Sequence, residues 1–254
     1  MSTHALADTG VLTGRSLRHI LRSPDTIITT AVTPIALMLL FVYVFGGAIN
    51  TGSDGSYVNY MLPGILLITI ASGVAYTAYR LFLDLQGGIF ERFASMPIAR
   101  SSVLWAHVFT SLAANLVSVS VVIGVALAMG FRTGASAAAW LAVAGILVLF
   151  TLALTWIAVI AGLSAKTVDG ASAFSYPLIF LPFISSAFVP TSTMPGPVAW
   201  FAQNQPVTAI VDTIRSLFAQ EPVGGDIWVA LAWLVGILVV AYGFAVAIYR
   251  RKIS

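Results

Sequence analysis

The sequence is poor in charged residues and has no cysteine. Of its 254 residues only 8% are charged, whereas 59% are hydrophobic and the mean hydropathy is +0.98. Because soluble domains carry about 25% charged residues, this composition predicts a protein whose surface faces lipid more than water. The absence of cysteine excludes disulfides, thiolate metal ligands and cysteine nucleophiles.

Catalytic and metal-binding groups are also scarce. The three histidines, His4, His19 and His107, show no spacing typical of metal ligands. The string Gly162-Leu163-Ser164 is similar to the serine motif of intramembrane proteases, but those enzymes need a histidine on a later span and none follows here. No G-x-x-x-x-G-K-[ST] loop is present, so we expect no ATPase site, no bound cofactor and no enzymatic activity in this chain. We also expect no nucleic-acid partner.

Long apolar runs are abundant. A membrane-spanning helix needs about 20 mostly apolar residues, and six such runs predict an all-α polytopic membrane protein that forms one domain over residues 1–254. Pro34, Pro177 and Pro182 lie inside these runs, where neighbouring groups can satisfy the carbonyls that proline leaves free. The predicted spans cover about 26–48, 60–79, 103–129, 138–163, 171–189 and 227–249.

Basic residues fall mainly on one side of the predicted membrane. With the N-terminus inside, ten of the twelve lysines and arginines lie in inner segments, and only Arg132 and Arg215 lie in outer ones. Cytoplasmic loops carry an excess of Lys and Arg. The distribution therefore predicts that both termini are cytoplasmic.

Two segments on the inner side are predicted to be amphipathic helices. Residues 11–25 carry Arg15, Arg18 and Arg22 at helical spacing, which indicates a helix lying on the cytoplasmic leaflet. A solvated charged arm is the alternative for that segment. In residues 80–102 apolar positions recur every four residues, which predicts a cytoplasmic helix that stops at Pro97.

An outer segment, residues 190–226, is predicted to be helical without crossing the membrane. Pro206 suits the first turn of a helix, and the apolar positions that follow share one face, opposite Asp212 and Arg215. This charged pair would be costly at the middle of the bilayer. We therefore expect a helix that lies in the outer interface or enters the membrane and returns.

Polar side chains form stripes within three spans, and two interpretations are open. The stripe in the third span contains His107, Ser111, Asn115 and Ser118. Hydroxyl and small residues commonly hold membrane helices together, but such stripes also suit a pathway for an amphiphilic substrate. The spans lack the buried acid–base pairs of ion-coupled carriers, which favours an external energy source. The candidate pathway residues in the second and fifth spans are Thr69, Ser72, Tyr76, Ser175, Tyr176 and Ser186.

Three strings carry a family resemblance that extends over nearly the whole chain. They are Glu91-Arg92 followed by Met96-Pro97-Ile98-Ala99-Arg100, the string AFVPTSTMP at 187–195, and Asn204-Gln205-Pro206-Val207-Thr208 followed by Asp212 and Arg215. In this order and topology they resemble the membrane subunit of type-2 ABC exporters, in particular the daunorubicin-resistance-like permease branch. Gln205, between Asn204 and Pro206, departs from the family pattern, and so does the pair Gly87-Gly88.

The resemblance implies an exporter of a lipophilic drug, antibiotic or lipid in a bacterial plasma membrane. Two permeases, the second being a copy or a paralogue, would pair within the membrane lipids above two ATP-binding-cassette ATPase subunits that hold ATP and Mg. A stand-alone ion-coupled transporter is the alternative, and a membrane enzyme is a third hypothesis. The residues implied to couple to the ATPase are Arg15, Arg18, Glu91, Arg92, Pro97 and Arg100, and those implied to form an extracellular gate are Asn204, Pro206, Asp212 and Arg215.

Overall fold

The computed structural model describes residues 24–47, 49, 56–87 and 100–253, and all the regular secondary structure in this part of the chain is helical. Most of the predicted interfacial helix (11–23) and residues 88–99 of the predicted coupling segment lie outside the described residues. The described elements, in chain order, are α1 (Pro24–Leu39, continued as a π-helix over Leu40–Phe45), α2 (Tyr57–Gln86), α3 (Arg100–Ala128), α4 (Ala137–Ser164), α5 (Val168–Ala173), α6 (Ser175–Phe180, continued as a 3₁₀ turn over Leu181–Ile184), a 3₁₀ turn (Thr191–Thr193), α7 (Gly196–Asn204), α8 (Pro206–Ala219) and α9 (Asp226–Ile253).

Four of these helices, α2, α3, α4 and α9, are long and apolar enough to cross a membrane. They correspond to the second, third, fourth and sixth predicted spans, whose limits differ from the helix ends by only a few residues, except at the C-terminal end of α2. The chain is therefore a multi-pass membrane protein. The other two predicted spans correspond to shorter apolar helical stretches, Thr30–Phe45 and Val168–Ile184.

Helix α2 lies at the centre of the bundle. Its residues from Met61 to Ala71 are buried without exception, and α1, α3, α4, α5 and α6 all pack against it. The helix continues without interruption through residues 80–86, where Leu81 and Phe82 are buried. The structure therefore has no helix boundary at Arg80, where the sequence predicts the second span to give way to a separate helix, while the coupling role of residues 80–102 stays a prediction. The apolar positions near residue 80 recur at helical spacing because they pack onto the bundle, and α2 ends only at Gly87.

The fifth predicted span, residues 171–189, is not one continuous helix. It consists of α5, α6 and a 3₁₀ turn, and the chain then turns over residues 185–189. Pro177 and Pro182 explain part of the interruption, because proline has no N–H to donate to the carbonyl four residues earlier. Ser185 donates its hydroxyl to the Pro182 carbonyl at 2.6 Å.

Contacts between helix ends define two ends of the bundle. At one end, Asp84 near the end of α2 pairs with His107 of α3 at 3.1 Å. At the other, the Asn59 side chain of α2 donates to the Arg132 carbonyl beyond α3 at 3.0 Å. The α3–α4 connection turns tightly at this second end, where Gly130 has a φ of +101° that suits glycine alone. Helix α8 lies at the same end, since the Thr133 hydroxyl donates to the Phe218 carbonyl.

Helix α9 lies at the periphery and contacts mainly α4 and α8. Its large apolar side chains point outward along its whole length, among them Trp228, Trp233, Val239 and Phe244. Such an exposed apolar helix requires lipid or another protein around it.

Candidate functional site

The charged pair of α8 is held by contacts to two other elements. The Arg215 guanidinium donates from Nη1 to the Asp212 carboxylate at 2.6 Å, from Nη2 to the Ser186 carbonyl at 2.7 Å and from Nε to the Tyr60 carbonyl at 3.2 Å. Its Cζ also lies 3.9 Å from the centroid of the Tyr60 ring, which is a cation–π distance. One side chain therefore joins α8, the start of α2 and the turn that follows the fifth span. We call Tyr60, Ser186, Asp212 and Arg215 the outer latch, after the side of the membrane that the sequence predicts for Arg215.

Hydrogen bonds from the turn after the fifth span complete the outer latch. The Ser186 hydroxyl donates to the same Asp212 oxygen at 2.6 Å, and the Ser186 backbone N–H donates to the Thr208 hydroxyl at 3.3 Å. The Gln205 side chain donates to the Ile184 carbonyl at 3.3 Å. Serine, aspartate and arginine thus satisfy one another, which is how a charged pair is accommodated beside an apolar core.

Direct packing also fixes this turn on α2. The Tyr57 hydroxyl donates to the Phe188 carbonyl at 3.0 Å. A Cβ added at Gly64 would lie only 2.5 Å from the Ala187 Cβ, so the absence of a side chain at Gly64 allows the close approach. Removing a side chain where two backbones meet is a common device of membrane proteins.

Local sequence explains why α8 forms where it does. Gln205 caps the helix by accepting from the Val207 N–H at 2.9 Å, and Pro206 occupies the first turn, where its missing N–H costs nothing. The helix ends at Gln220, which has a left-handed φ of 58°. The apolar face predicted from the sequence is buried, and its fully or nearly fully buried members are Val207, Ile210, Val211, Ile214 and Phe218.

A second polar cluster lies between α2, α3 and α4. Thr77 donates to the Ser111 hydroxyl at 2.8 Å, and Ser111 lies 3.2 Å from the Thr155 hydroxyl. Asn115 donates to the Ser111 carbonyl at 2.9 Å, while its Oδ1 is buried without a hydrogen bond. That oxygen faces Gly73 of α2, where a Cβ would overlap it. Ser111 and Asn115 of the third-span stripe thus connect α2, α3 and α4.

The candidate pathway residues divide into buried and exposed groups. Thr69 and Ser175 are buried and donate to carbonyls of their own segments, those of Ile65 and Ser172. Tyr76 and Tyr176 are exposed, with the Arg80 guanidinium 5.7 Å from the Tyr76 ring centroid. Ser72 of α2 is partly exposed. Ser186 is buried and belongs to the outer latch.

The residues predicted to form the gate lie near one another in sequence, but they play different roles. Asp212 and Arg215 are the centre of the outer latch, and Pro206 starts α8. Asn204 is exposed and donates to the Trp200 carbonyl of its own helix at 2.7 Å. Among the predicted coupling residues, Arg100 begins α3. The other five, Arg15, Arg18, Glu91, Arg92 and Pro97, lie outside the described residues.

Sequence reasoning missed Tyr57, Tyr60 and Thr208 as partners of the outer latch. Tyr57 and Tyr60 lie at the start of an apolar run, where aromatic residues are ordinary. Thr208 shares the polar face of α8 with Asp212 and Arg215, which was the only signal available for it. No group of three or more histidine, aspartate or glutamate side chains that could hold a metal occurs among the described residues.

Comparison with known proteins gives a family match over most of the chain. The family model described as ABC-2 type transporter matches residues 7–219. A daunorubicin resistance ABC transporter permease protein of Streptomyces coeruleorubidus is 26% identical over 236 residues, which cover 90% of this chain and 81% of the relative. A probable doxorubicin resistance ABC transporter permease protein of Mycobacterium tuberculosis is 26% identical over 250 residues, which cover 97% of this chain and 89% of the relative.

Proposed function

This chain belongs to the ABC-2 type transporter family, and from that premise we infer that it is the membrane subunit of an ABC drug exporter. The observation that carries the inference is the family match across residues 7–219, together with two relatives named as drug-resistance permeases over nine-tenths or more of this chain. The substrate class is a lipophilic drug or antibiotic, or a lipid. Neither the family nor the relatives support the ion-coupled alternative.

The energy source is ATP, hydrolysed with Mg by two separate ATP-binding-cassette subunits docked on the inner end of this chain. The sequence has no phosphate-binding loop of its own, which supports this division of labour. Among the described residues, Lys166, Arg250 and Arg251 lie at the end of the bundle that contains Asp84 and His107, whereas Arg132 and Arg215 lie at the other end. Because cytoplasmic segments are rich in Lys and Arg, we assign this end and both termini to the cytoplasm of a bacterial plasma membrane.

Coupling to the ATPase occurs through the segment between α2 and α3. The C-terminal end of α2 and the N-terminal end of α3 both lie on the inner side. A force on Glu91, Arg92, Pro97 or Arg100 is therefore transmitted directly to α2, the centre of the bundle. We assign Arg15 and Arg18 to the same coupling function. We expect charge reversal at Glu91 or Arg92 to reduce copurification of the ATPase subunits while membrane insertion is unchanged. Unchanged docking and transport in both variants would contradict this assignment.

The outer latch is the extracellular gate of the exporter. It closes the outer end by joining α2, the turn after the fifth predicted span and α8. The exposed faces of Tyr76 and Tyr176 border a pathway that a second permease, identical or paralogous, completes. Release of the Arg215 contacts lets α8 move away and opens the pathway to the outside.

Reconstitution tests the function directly. The tagged chain is purified with its ATPase subunits and placed in vesicles, and transport of an amphiphilic dye is followed with ATP, without ATP, and with ATP plus an uncoupler. The proposal predicts transport that requires ATP and resists the uncoupler. Transport that collapses with the uncoupler at constant ATP, or a chain that brings down no ATPase, would contradict it.

A further inference from the structure

The hydroxyl of Thr208, in the first turn of α8, joins this helix to three neighbouring stretches of chain. It donates to the Ala202 carbonyl near the end of α7 at 2.5 Å, and it accepts from the Ser186 backbone N–H and from the Gln205 side-chain Nε2, both at 3.3 Å. A hydroxyl has one hydrogen to donate and two lone pairs that accept. These three contacts therefore use the full hydrogen-bonding capacity of the side chain.

The side-chain amide of Gln205, between α7 and α8, has contacts on both of its ends. Its Oε1 accepts from the Val207 N–H at 2.9 Å, and its Nε2 donates to the Ile184 carbonyl and to the Thr208 hydroxyl, both at 3.3 Å. The oxygen thus caps α8, whereas the nitrogen holds the end of the interrupted fifth span. Gln205 is also where the sequence departs from the pattern of the permeases that it resembles. We call Gln205 and Thr208 the polar clasp.

Ser186 connects the polar clasp to the outer latch. Its backbone N–H donates to Thr208, its carbonyl accepts from Nη2 of Arg215 at 2.7 Å, and its hydroxyl donates to Asp212 at 2.6 Å. The N–H and the carbonyl belong to the same residue, so the clasp fixes the place from which that carbonyl meets the guanidinium. Loss of the clasp would therefore weaken the outer latch while Asp212 and Arg215 themselves are unchanged.

The polar clasp is buried more deeply than the charged pair. Gln205 is 6% and Thr208 is 8% exposed, whereas the side chains of Arg215 and Asp212 are 22% and 33% exposed. Partly exposed ion pairs are screened by water and salt and contribute little. A buried hydrogen bond, in contrast, is exchanged for a bond to water only after the elements have separated. The clasp therefore opposes the separation of the turn from α8 more than the ion pair does.

Resting on the proposed function, we propose that Gln205 and Thr208 are positioning residues of the extracellular gate. They hold Ser186 against α8 and so set how readily the gate opens, acting through Ser186 and not on the substrate. Because the polar clasp and the outer latch both act on Ser186, the turn leaves α8 only when both are released.

Maleimide labelling of a cysteine at position 185 measures how often the turn separates from α8. Ser185 is fully buried and lies between Ile184 and Ser186, the two residues that the polar clasp holds. The chain has no cysteine of its own, so the labelling rate of Ser185→Cys, followed by mass spectrometry of this chain, reports transient opening. The complete complex is labelled in detergent, where both faces are accessible, without nucleotide. We expect Thr208→Val, which keeps the shape but removes the hydroxyl, to raise this rate about tenfold.

Three variants separate the polar clasp from other effects of substitution. Thr208→Ser keeps the hydroxyl and should label close to the rate with Thr208 present. Thr213→Val removes a buried hydroxyl from the same helix, but this hydroxyl donates within α8, to the Ala209 carbonyl at 2.7 Å, so the rate should not change. Gln205→Glu keeps an oxygen that caps α8 and replaces the donor, so it should raise the rate as Thr208→Val does.

A second reporter distinguishes local opening from loosening of the whole chain. Thr151→Cys, buried in α4, should keep its labelling rate when Thr208→Val is added. Equal rises at both reporters, equal rates in Thr208→Val and Thr213→Val, no recovery with Thr208→Ser, or an unchanged rate in Gln205→Glu would overturn the polar clasp. The proposed function is tested separately, since ATP turnover should raise the labelling of Ser185→Cys when the clasp is intact. A rate that ATP does not change would contradict the extracellular gate itself, whatever the clasp variants show.

Discussion

Arg215 shows how a full charge is accommodated at the edge of an apolar bundle. Its three nitrogen atoms each have an acceptor, and only one of these is a charged group. The two carbonyls, from Tyr60 and Ser186, belong to elements far away in the sequence. The arrangement uses the planar shape of the guanidinium, whose donors point in fixed directions. The sequence indicated the charged pair, but not the carbonyls that hold it.

We predict that Arg215→Lys destabilises the protein although it keeps the charge. A lysine ammonium cannot reach all three acceptors, and loss of a hydrogen bond to a charged group costs about 2 kcal/mol. In a chain of this size that corresponds to a fall in melting temperature of roughly 4–8 °C. The measurement is thermal unfolding in detergent followed by size-exclusion fluorescence.

Arg132→Lys is the matched control at the same end of the bundle. Arg132 is exposed and donates to the Phe131 and Leu127 carbonyls, both from nearby in the sequence. We expect a change of less than about 0.5 kcal/mol there. If Arg215→Lys has the same melting temperature as Arg132→Lys, the long-range contacts of Arg215 contribute little to stability.

Gly73 gives a second prediction, in which a glycine-to-alanine substitution lowers the stability of the protein instead of raising it. Alanine normally stabilises a helix relative to glycine by about 0.5–1 kcal/mol. At Gly73, however, the new methyl group would overlap the carboxamide of Asn115, and overpacking costs about 1–3 kcal/mol. We expect Gly73→Ala to lower the melting temperature and Asn115→Ala to relieve that effect in the double variant.

Gly236→Ala is the control, because nothing lies within 4 Å of a Cβ at that position on α9. It should be neutral or slightly stabilising. Additive effects of Gly73→Ala and Asn115→Ala would show that the two residues do not compete for the same space.

At the level of elements, uninterrupted helices could be predicted and interruptions could not. Apolar length alone gives the limits of α3, α4 and α9 within a few residues, because a run of that length has few other stable states in a membrane. The sequence pattern puts the end of α2 too early, because an amphipathic pattern does not distinguish a surface helix from the last turns of a buried one. The π-helix of α1 has no sequence signal, and Pro177 and Pro182 were the only sign of the break in the fifth span.

The two ends of the bundle are expected to behave differently during transport. At the outer end the turn after the fifth span must separate from α8, so a cross-link between Ser186→Cys and Asp212→Cys should stop transport. The chain has no other cysteine, so within this chain a short bifunctional thiol reagent reacts only at the introduced pair. ATP-driven dye uptake is measured before and after cross-linking. The same variant after reduction is the control for loss of the two native side chains, and transport that continues when cross-linked would exclude the outer latch as a gate.

At the inner end we predict the opposite result. Asp84 and His107 are in contact, and the buried cluster of Leu81, Leu104 and Leu163 continues the packing beside them. The α2–α3 hairpin should therefore move as one body, and joining Asp84→Cys to His107→Cys should leave transport at the level of the reduced variant. A cross-link that blocks transport here would mean that α2 and α3 separate during the cycle.

At the level of the whole molecule, the contacts between helices and the distribution of basic residues identify the same two ends of the bundle. The two observations are independent. The ends are defined by contacts such as Asp84–His107 and Asn59–Arg132, whereas the orientation rests on where lysines and arginines occur. Arg132 and Arg215, the basic residues that the sequence places outside, both lie at the second end. Hydropathy alone could not have shown this, because it contains no information on which helix ends meet.

The fifth predicted crossing is short, and it decides the orientation of everything after it. Its helical part, Val168–Ile184, has 17 residues, against about 20 for an ordinary span. Lys166 and Gly196 flank it, and both are exposed.

If the segment crosses, Gly196→Cys should react with a membrane-impermeant maleimide in intact cells and Lys166→Cys should react only after permeabilisation. Gly134→Cys, at the outer end between α3 and α4, is the positive control. Labelling of Lys166→Cys and Gly196→Cys from the same side would mean that the interrupted segment enters the membrane and returns, and it would place α8 and the outer latch on the cytoplasmic side, where they could not serve as an extracellular gate.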